Sequence, residues 1–162
     1  MKKIVFITLS LLLALSFWNC EKDDICAEGT PTTPRVIIEF YDATNPTVLK
    51  NVTNLKVVET SLTDGFGFTG VNKIQVPLRT NSEETILNFI QNGNNSDTSD
   101  DNTDELIFNY ATQEVYISRA CGYKMTFQLD AIDGVVATPD GSNWIQNITV
   151  MQPNIETENE VH

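Results

Sequence analysis

Glu105-Leu106-Ile107-Phe108-Asn109-Tyr110 and Tyr123-Lys124-Met125-Thr126-Phe127-Gln128-Leu129-Asp130 decide the fold. Leu106, Phe108 and Tyr110 recur at every second residue of the first run, and Met125, Phe127 and Leu129 do so in the second. Successive side chains of a strand point to opposite faces, so a period of two turns one apolar face to a core. The same period appears in Val36, Ile38 and Phe40, in Leu55 and Val57, and in Ile74, Val76 and Leu78 alternating with Lys73, Gln75 and Pro77. Further strands are expected at Thr85 to Gln91, Glu114 to Arg119 and Trp144 to Met151. Asp64-Gly65, Asn92-Gly93, Asp133-Gly134 and Pro139-Asp140-Gly141 break the runs as hairpin and sandwich loops do. No segment holds helical periodicity for three turns. The expected fold is all-β: an antiparallel, immunoglobulin-like β-sandwich of about eight strands, with a small β-barrel as the alternative.

The N-terminus carries an address. Met1-Lys2-Lys3 is followed by a largely apolar run from Ile4 to Trp18, fifteen residues long, against roughly 20 for a membrane-spanning helix. Residues 1–19 therefore read as a signal peptide. The bulky Phe17-Trp18-Asn19 before Cys20 is unlike an ordinary cleavage site and resembles a lipobox, in the looser form that tolerates Asn19 where Gly, Ala or Ser is usual. Cys20 is the expected lipidation site, bearing acyl chains of the palmitate kind. Directly after it, Lys22, Asp23 and Asp24 resemble the signal that sends Bacteroidota lipoproteins to the outer face of the outer membrane; their alternative role is a solvated, charged spacer.

Removal of residues 1–19 from the 162 leaves 143 residues with 8 basic and 22 acidic side chains, a formal charge of −14. One domain fits this length. Such acidity repels nucleic acid, whose phosphates need clustered Lys and Arg, so no nucleic-acid partner is expected. With Cys20 assigned to lipid, Cys26 and Cys121 are the remaining thiols of an exported chain and are expected to bridge. The loop closed spans 96 residues, for which the chain-entropy estimate is about 4–5 kcal/mol. Two cysteines without a nearby histidine fall short of a closed zinc site. The bridge would hold the domain within six residues of the lipid, about 20 Å of extended chain, and would make Thr30-Pro31-Thr32-Thr33-Pro34 a stiff strap along the domain.

Chemistry is sparse. A nucleophilic triad needs a base, and the single histidine is His162. No catalytic residue and no cofactor are assigned. Paired carboxylates among Glu39, Asp42, Asp130 and Asp133 keep open an alternative, a carboxylate-dependent hydrolase acting on extracellular glycan. The segment Asp64 to Gly70 lacks phosphate-loop spacing. Phe66 and Phe68 within it form a possible ligand loop, an aromatic platform for a sugar or peptide, unless they tuck under as plugs. Asp97, Asp100, Asp101 and Asp104 make a weak calcium candidate in a loop without the central glycine and terminal glutamate of the helix-loop-helix pattern; otherwise that loop is a disordered acidic connection.

The run Ser118-Arg119-Ala120-Cys121-Gly122-Tyr123-Lys124, with Cys20…Cys26, Ile74 to Leu78 and Asp104-Glu105-Leu106, resembles a domain-of-unknown-function family of small Bacteroidota outer-membrane lipoproteins over residues 20 to 151. The resemblance implies location, disulfide and β architecture and carries over no functional residue. Gly122 beside a bridged cysteine marks a bulge or tight bend, and Arg119 and Lys124 are expected to face acidic neighbours across strands. The organisation expected is a lipoprotein signal peptide at 1–19, a lipidated tether at 20–34, the β-sandwich at 35–152 and a disordered polar tail at 153–162. The expected role is non-enzymatic: a lipid-anchored, surface-exposed binding or accessory module, held to the membrane through Cys20, whose partner is an outer-membrane protein or, second, glycan.

Overall fold

The computed structural model describes Val5 and residues 25–162. The expectations for Cys20, Lys22, Asp23 and Asp24 lie outside the described residues, as does the signal peptide apart from Val5. No helix among the described residues is long and apolar enough to cross a membrane. Two compact units are present.

The larger unit comprises Pro31–Val115 and Lys124–His162. All its regular elements are strands: β1 Val36–Glu39, β2 Tyr41–Asp42, β3 Asn45–Leu49, β4 Leu55–Glu59, β5 Phe66–Phe68, β6 Lys73–Val76, β7 Glu84–Gln91, β8 Asn102–Ser118, β9 Gly122–Leu129, β10 Val135–Ala137 and β11 Asn154–Ile155, with β8 and β9 running on into the smaller unit. The main sheet has the order β11-β9-β8-β7-β4-β5, with β10 also on β8, and is curled into half a barrel. β1 pairs with β6 and β2 with β3 in separate small sheets; these pairs, and those of β10 with β8, β11 with β9, β4 with β5 and β7, and β7 with β8, are antiparallel. The all-β expectation holds in this form.

Alternation does what period two requires. Leu55 and Val57 on β4, Leu87 and Phe89 on β7, Leu106 and Phe108 on β8, and Phe127 and Leu129 on β9 are all buried in one core, joined from the small sheet by Val36, Ile74 and Val76. Tyr110 closes this core edge-on against Phe127, ring centroids 5.2 Å apart. The two strands expected at Glu105 to Tyr110 and Glu114 to Arg119 are one, because Ala111-Thr112-Gln113 contains no breaker and β8 runs straight through.

Three expectations need correction. Trp144 to Met151 is not a strand. The amides of Trp144 and Ile145 donate to the two carboxylate oxygens of buried Asp104, at 3.2 and 2.7 Å, and the indole Nε1–H donates to the Phe89 carbonyl at 3.1 Å. With those amides taken by a side chain, the segment lays Trp144, Ile145 and Val150 on the core as a cover. Residues 153–162 are not a disordered tail. β11 pairs with β9, Ile155 is fully buried, and Glu158 clamps Arg35 through both carboxylate oxygens at 2.8 and 2.9 Å. Lys124 donates to the backbone carbonyl of Glu156 at 3.0 Å rather than to a carboxylate. The strap before β1 is held too: Pro34 is buried, and the Met125 amide donates to Thr33 Oγ1 at 3.0 Å.

In the smaller unit, Cys26 and Cys121 form the expected disulfide, with Cα atoms 4.8 Å apart. Arg119, Ala120 and Cys121 connect β8 to β9, and Gly122 takes a φ of +71°, the left-handed conformation its place after the bridge calls for. The Cys121 amide donates to Ser118 Oγ at 3.1 Å.

The tail's last contact is pH-sensitive. The Ile37 amide donates to His162 Nδ1 at 3.1 Å and the His162 amide returns a bond to the Ile37 carbonyl at 3.1 Å, so His162 satisfies the β1 backbone at Ile37, which is buried like its neighbour Val36. Nδ1 can accept only in the neutral ring. Burial holds this imidazole below the ordinary histidine value. The folded state thus binds fewer protons than the unfolded chain. Docking is complete above the unfolded value near 6.5 and weakens as pH falls through the lower folded value. An NMR titration should give His162 a midpoint below about 6.5, with the Ile37 amide losing exchange protection through the same midpoint. A midpoint at or above the unfolded value would contradict this.

Candidate functional site

In the larger unit a cleft of about 260 Å³ opens between the β4–β5 edge and the segment from β6 to β7. Its floor is core: Val57, Val76, Leu78 and Leu87 are buried. Its lip is not, since Leu62 is 61 % and Phe66 51 % exposed.

The sequence builds this wall from register. β5 pairs with β4 so that Phe68 lies opposite Leu55 and Phe66 opposite Val57. Opposite residues share a face, so both phenylalanines turn to the core side; Phe68 packs against the core, while Phe66, nearer the open end, is left half-covered at the lip. The expected ligand loop is therefore the edge strand of the main sheet. Gly65 lets it close in, because a Cβ there would sit 2.2 Å from the Val57 carbonyl oxygen.

The rim holds one paired charge. Arg79 Nη2 lies 3.1 Å from Glu59 Oε1 and donates to Ser61 Oγ at 2.7 Å, while the Ser61 amide and hydroxyl both donate to Glu59 Oε2. The Ser61 hydroxyl, with Arg79 beside it, holds Glu59 below the usual carboxylate range, so it is an anion. Buried polar groups fix Arg79 from behind: its amide donates to Thr85 Oγ1 at 2.9 Å and its carbonyl accepts from the Tyr110 hydroxyl at 2.8 Å. Tyr110 is also hydrogen-bonded to Thr85, and burial pushes its phenol up. Such a site offers apolar contact and a polar edge made of the Glu59–Arg79 pair and the Asp64 carboxylate, which accepts from the Gly65 amide at 2.9 Å.

The other candidates separate. Glu39 pairs with Lys73 at 2.6 Å and accepts from Tyr41 at 2.7 Å; Lys73, with Tyr41, holds it low. Asp42 caps the turn at Thr44 and Asn45, and the Thr44 hydroxyl and amide lower it. The Asp130 carboxylate meets the Ile132 amide at 3.4 Å, and Asp133 contributes its backbone carbonyl to Asn109. Glu39, Asp42, Glu59, Asp97 and Glu158 are all held low, each chiefly by a side-chain hydrogen bond.

The calcium candidate does not assemble. Asp97 folds back on Ser99, whose hydroxyl lowers it. Asp104 is turned into the core to bind the Trp144 and Ile145 amides. Asp101 keeps one buried oxygen without a hydrogen bond, but no three His, Cys, Asp or Glu side chains converge for a metal among the described residues. The sequence reading missed the inward role of Asp104 although its parity with Leu106, Phe108 and Tyr110 marks it as core-facing. Thr85, two before Leu87, carries the same signal.

Residues 48–162 match the model of a family of unknown function, DUF6452. The chain belongs to that family. Nothing among curated proteins or solved structures matches it.

The close approach at Gly65 is testable. Gly65→Ala places a methyl against backbone that cannot swing aside, so β5 must peel from β4 at a cost of about 1–3 kcal/mol, read as a lower denaturation midpoint. An unchanged midpoint would mean that the cleft wall is not packed as described.

Proposed function

We propose that this member of DUF6452 is a lipid-anchored, non-enzymatic protein of the outer membrane, facing the exterior, that uses the Phe66 cleft to hold an extended segment of another envelope protein. The observation that carries the reading is the pairing of an apolar cleft, lipped by Phe66 and Leu62, with a strand that ends the main sheet. An edge strand offers unpaired backbone groups to an added strand, and alternate side chains of that strand find pockets. The cleft, at about 260 Å³, is smaller than the roughly 300–1,000 Å³ usual for drug-sized ligands and suits one bulky apolar side chain better than a sugar chain. The formal charge of −14 after removal of residues 1–19 favours a neutral or basic segment. The anchor rests on Cys20 after the apolar run and on Lys22-Asp23-Asp24 beside it.

Two measurements test this reading. Cys20→Ala should release the protein from membranes, and a variant that stays bound through a high-salt wash would contradict the anchor. A photo-crosslinking residue at Phe66, in cells, should join one envelope protein through an extended segment, with the crosslink lost on Leu62→Ser and absent when the probe is placed at the exposed Val48. Equal capture at both positions, or none at Phe66, would contradict the docking site.

A further inference from the structure

We infer that the β8–β9 hairpin tip is a membrane-contacting surface, seated at the lipid–water interface beside the anchor. This rests on the lipidation of Cys20 proposed above and adds a second, non-covalent contact to it.

The smaller unit concentrates exposed apolar groups on either side of its disulfide. Tyr116 is 55 % and Tyr123 65 % exposed, yet their rings meet edge to face with centroids 5.3 Å apart. The pair thus presents a preformed aromatic surface rather than two separate side chains. Ile25, immediately before bridged Cys26, is 82 % exposed. Tyrosine combines an apolar ring with a hydroxyl that stays hydrated, the property that places it at headgroup depth.

Charge agrees. Residues 25–30 and 116–123 hold one acid, Glu28, and one base, Arg119, and are formally neutral, whereas the chain after removal of residues 1–19 carries −14. The patch itself, as distinct from the acidic Glu21-Lys22-Asp23-Asp24 tether next to Cys20, is therefore spared the repulsion that an acidic surface would meet at an anionic membrane.

Reach supplies the partner. Cys26 follows Cys20 by six residues, at most about 20 Å of chain, and the bridge ties Cys121 to that point with 4.8 Å between Cα atoms. Tyr123 lies two residues beyond Cys121. An acyl chain at Cys20 thus keeps the pair within reach of the bilayer surface at all times, where the high effective concentration of a short tether makes even a weak contact persistent.

The test uses the full lipoprotein in phosphatidylcholine vesicles, with acylation of Cys20 read from the mass of its N-terminal peptide. Tyr123→Trp places a reporter at an exposed site where it does not disturb the core. Trp144, hydrogen-bonded within the larger unit, is the internal reference in the unsubstituted protein. With bromine on the lipid acyl chains, emission from the Tyr123→Trp protein should fall about twofold relative to plain vesicles, while the unsubstituted protein changes little. Equal quenching of the two acylated proteins overturns the membrane contact and leaves the anchor standing. A peptide without the acyl mass overturns the anchor and the contact with it.

Discussion

One buried carboxylate organises the domain. The main sheet turns an apolar face inward from four strands, and such a face must be covered along its length. β1 and β6 cover part of it. The rest falls to a segment around Trp144 that has no strand partner, and unpartnered amides are costly to bury. Asp104, fully buried on the core face of β8, accepts two of them. The Trp144 indole then reaches the Phe89 carbonyl and its ring lies 6.2 Å from that of Phe40, so a segment without a ladder becomes part of the core.

Relative magnitudes assign the remaining roles. The core cluster contains fourteen buried apolar or aromatic side chains, each contributing about 1.5–3 kcal/mol. That sum exceeds the roughly 4–5 kcal/mol of a disulfide closing a loop of this length. Surface pairs such as Arg35–Glu158 contribute about 1 kcal/mol or less. The bridge is therefore the smaller contribution to stability beside the apolar core. What the cover does not reach is the end of the core beneath β5, and that is where the cleft lies.

Period two was legible wherever a strand buries one face, which is why β4, β6, β7, β8 and β9 could be located from residues such as Leu55, Ile74, Leu87, Phe108 and Phe127. It failed where burial does not come from a ladder. Ile37 is buried next to buried Val36 and so breaks alternation in β1, where His162 of the tail is bonded to its backbone. Trp144 to Met151 has apolar residues suited to a strand, but its first amides are satisfied by a side chain forty residues away. The polar 153–162 stretch docks through Ile155, Glu158 and His162, whose partners on β9 and near β1 are remote in sequence. At the candidate site Phe66 and Phe68 stood out in the sequence, but the strand between Asp64-Gly65 and Thr69-Gly70 did not, because glycine at 65 and 67 reads as loop. The rim pair Glu59–Arg79 had no local signal. Asp104 was misread through composition, since an acid in an acidic run suggests solvent or calcium unless parity is weighed first.

The account therefore turns on Asp104, and Asp104→Asn tests it most directly. Asparagine keeps the shape but replaces one acceptor with a donor that faces an N–H. The account expects unfolding free energy to fall by about 2–4 kcal/mol and the amides of Trp144 and Ile145 to lose hydrogen-exchange protection before the β7 and β8 amides do. Unchanged stability with both amides still protected would contradict it.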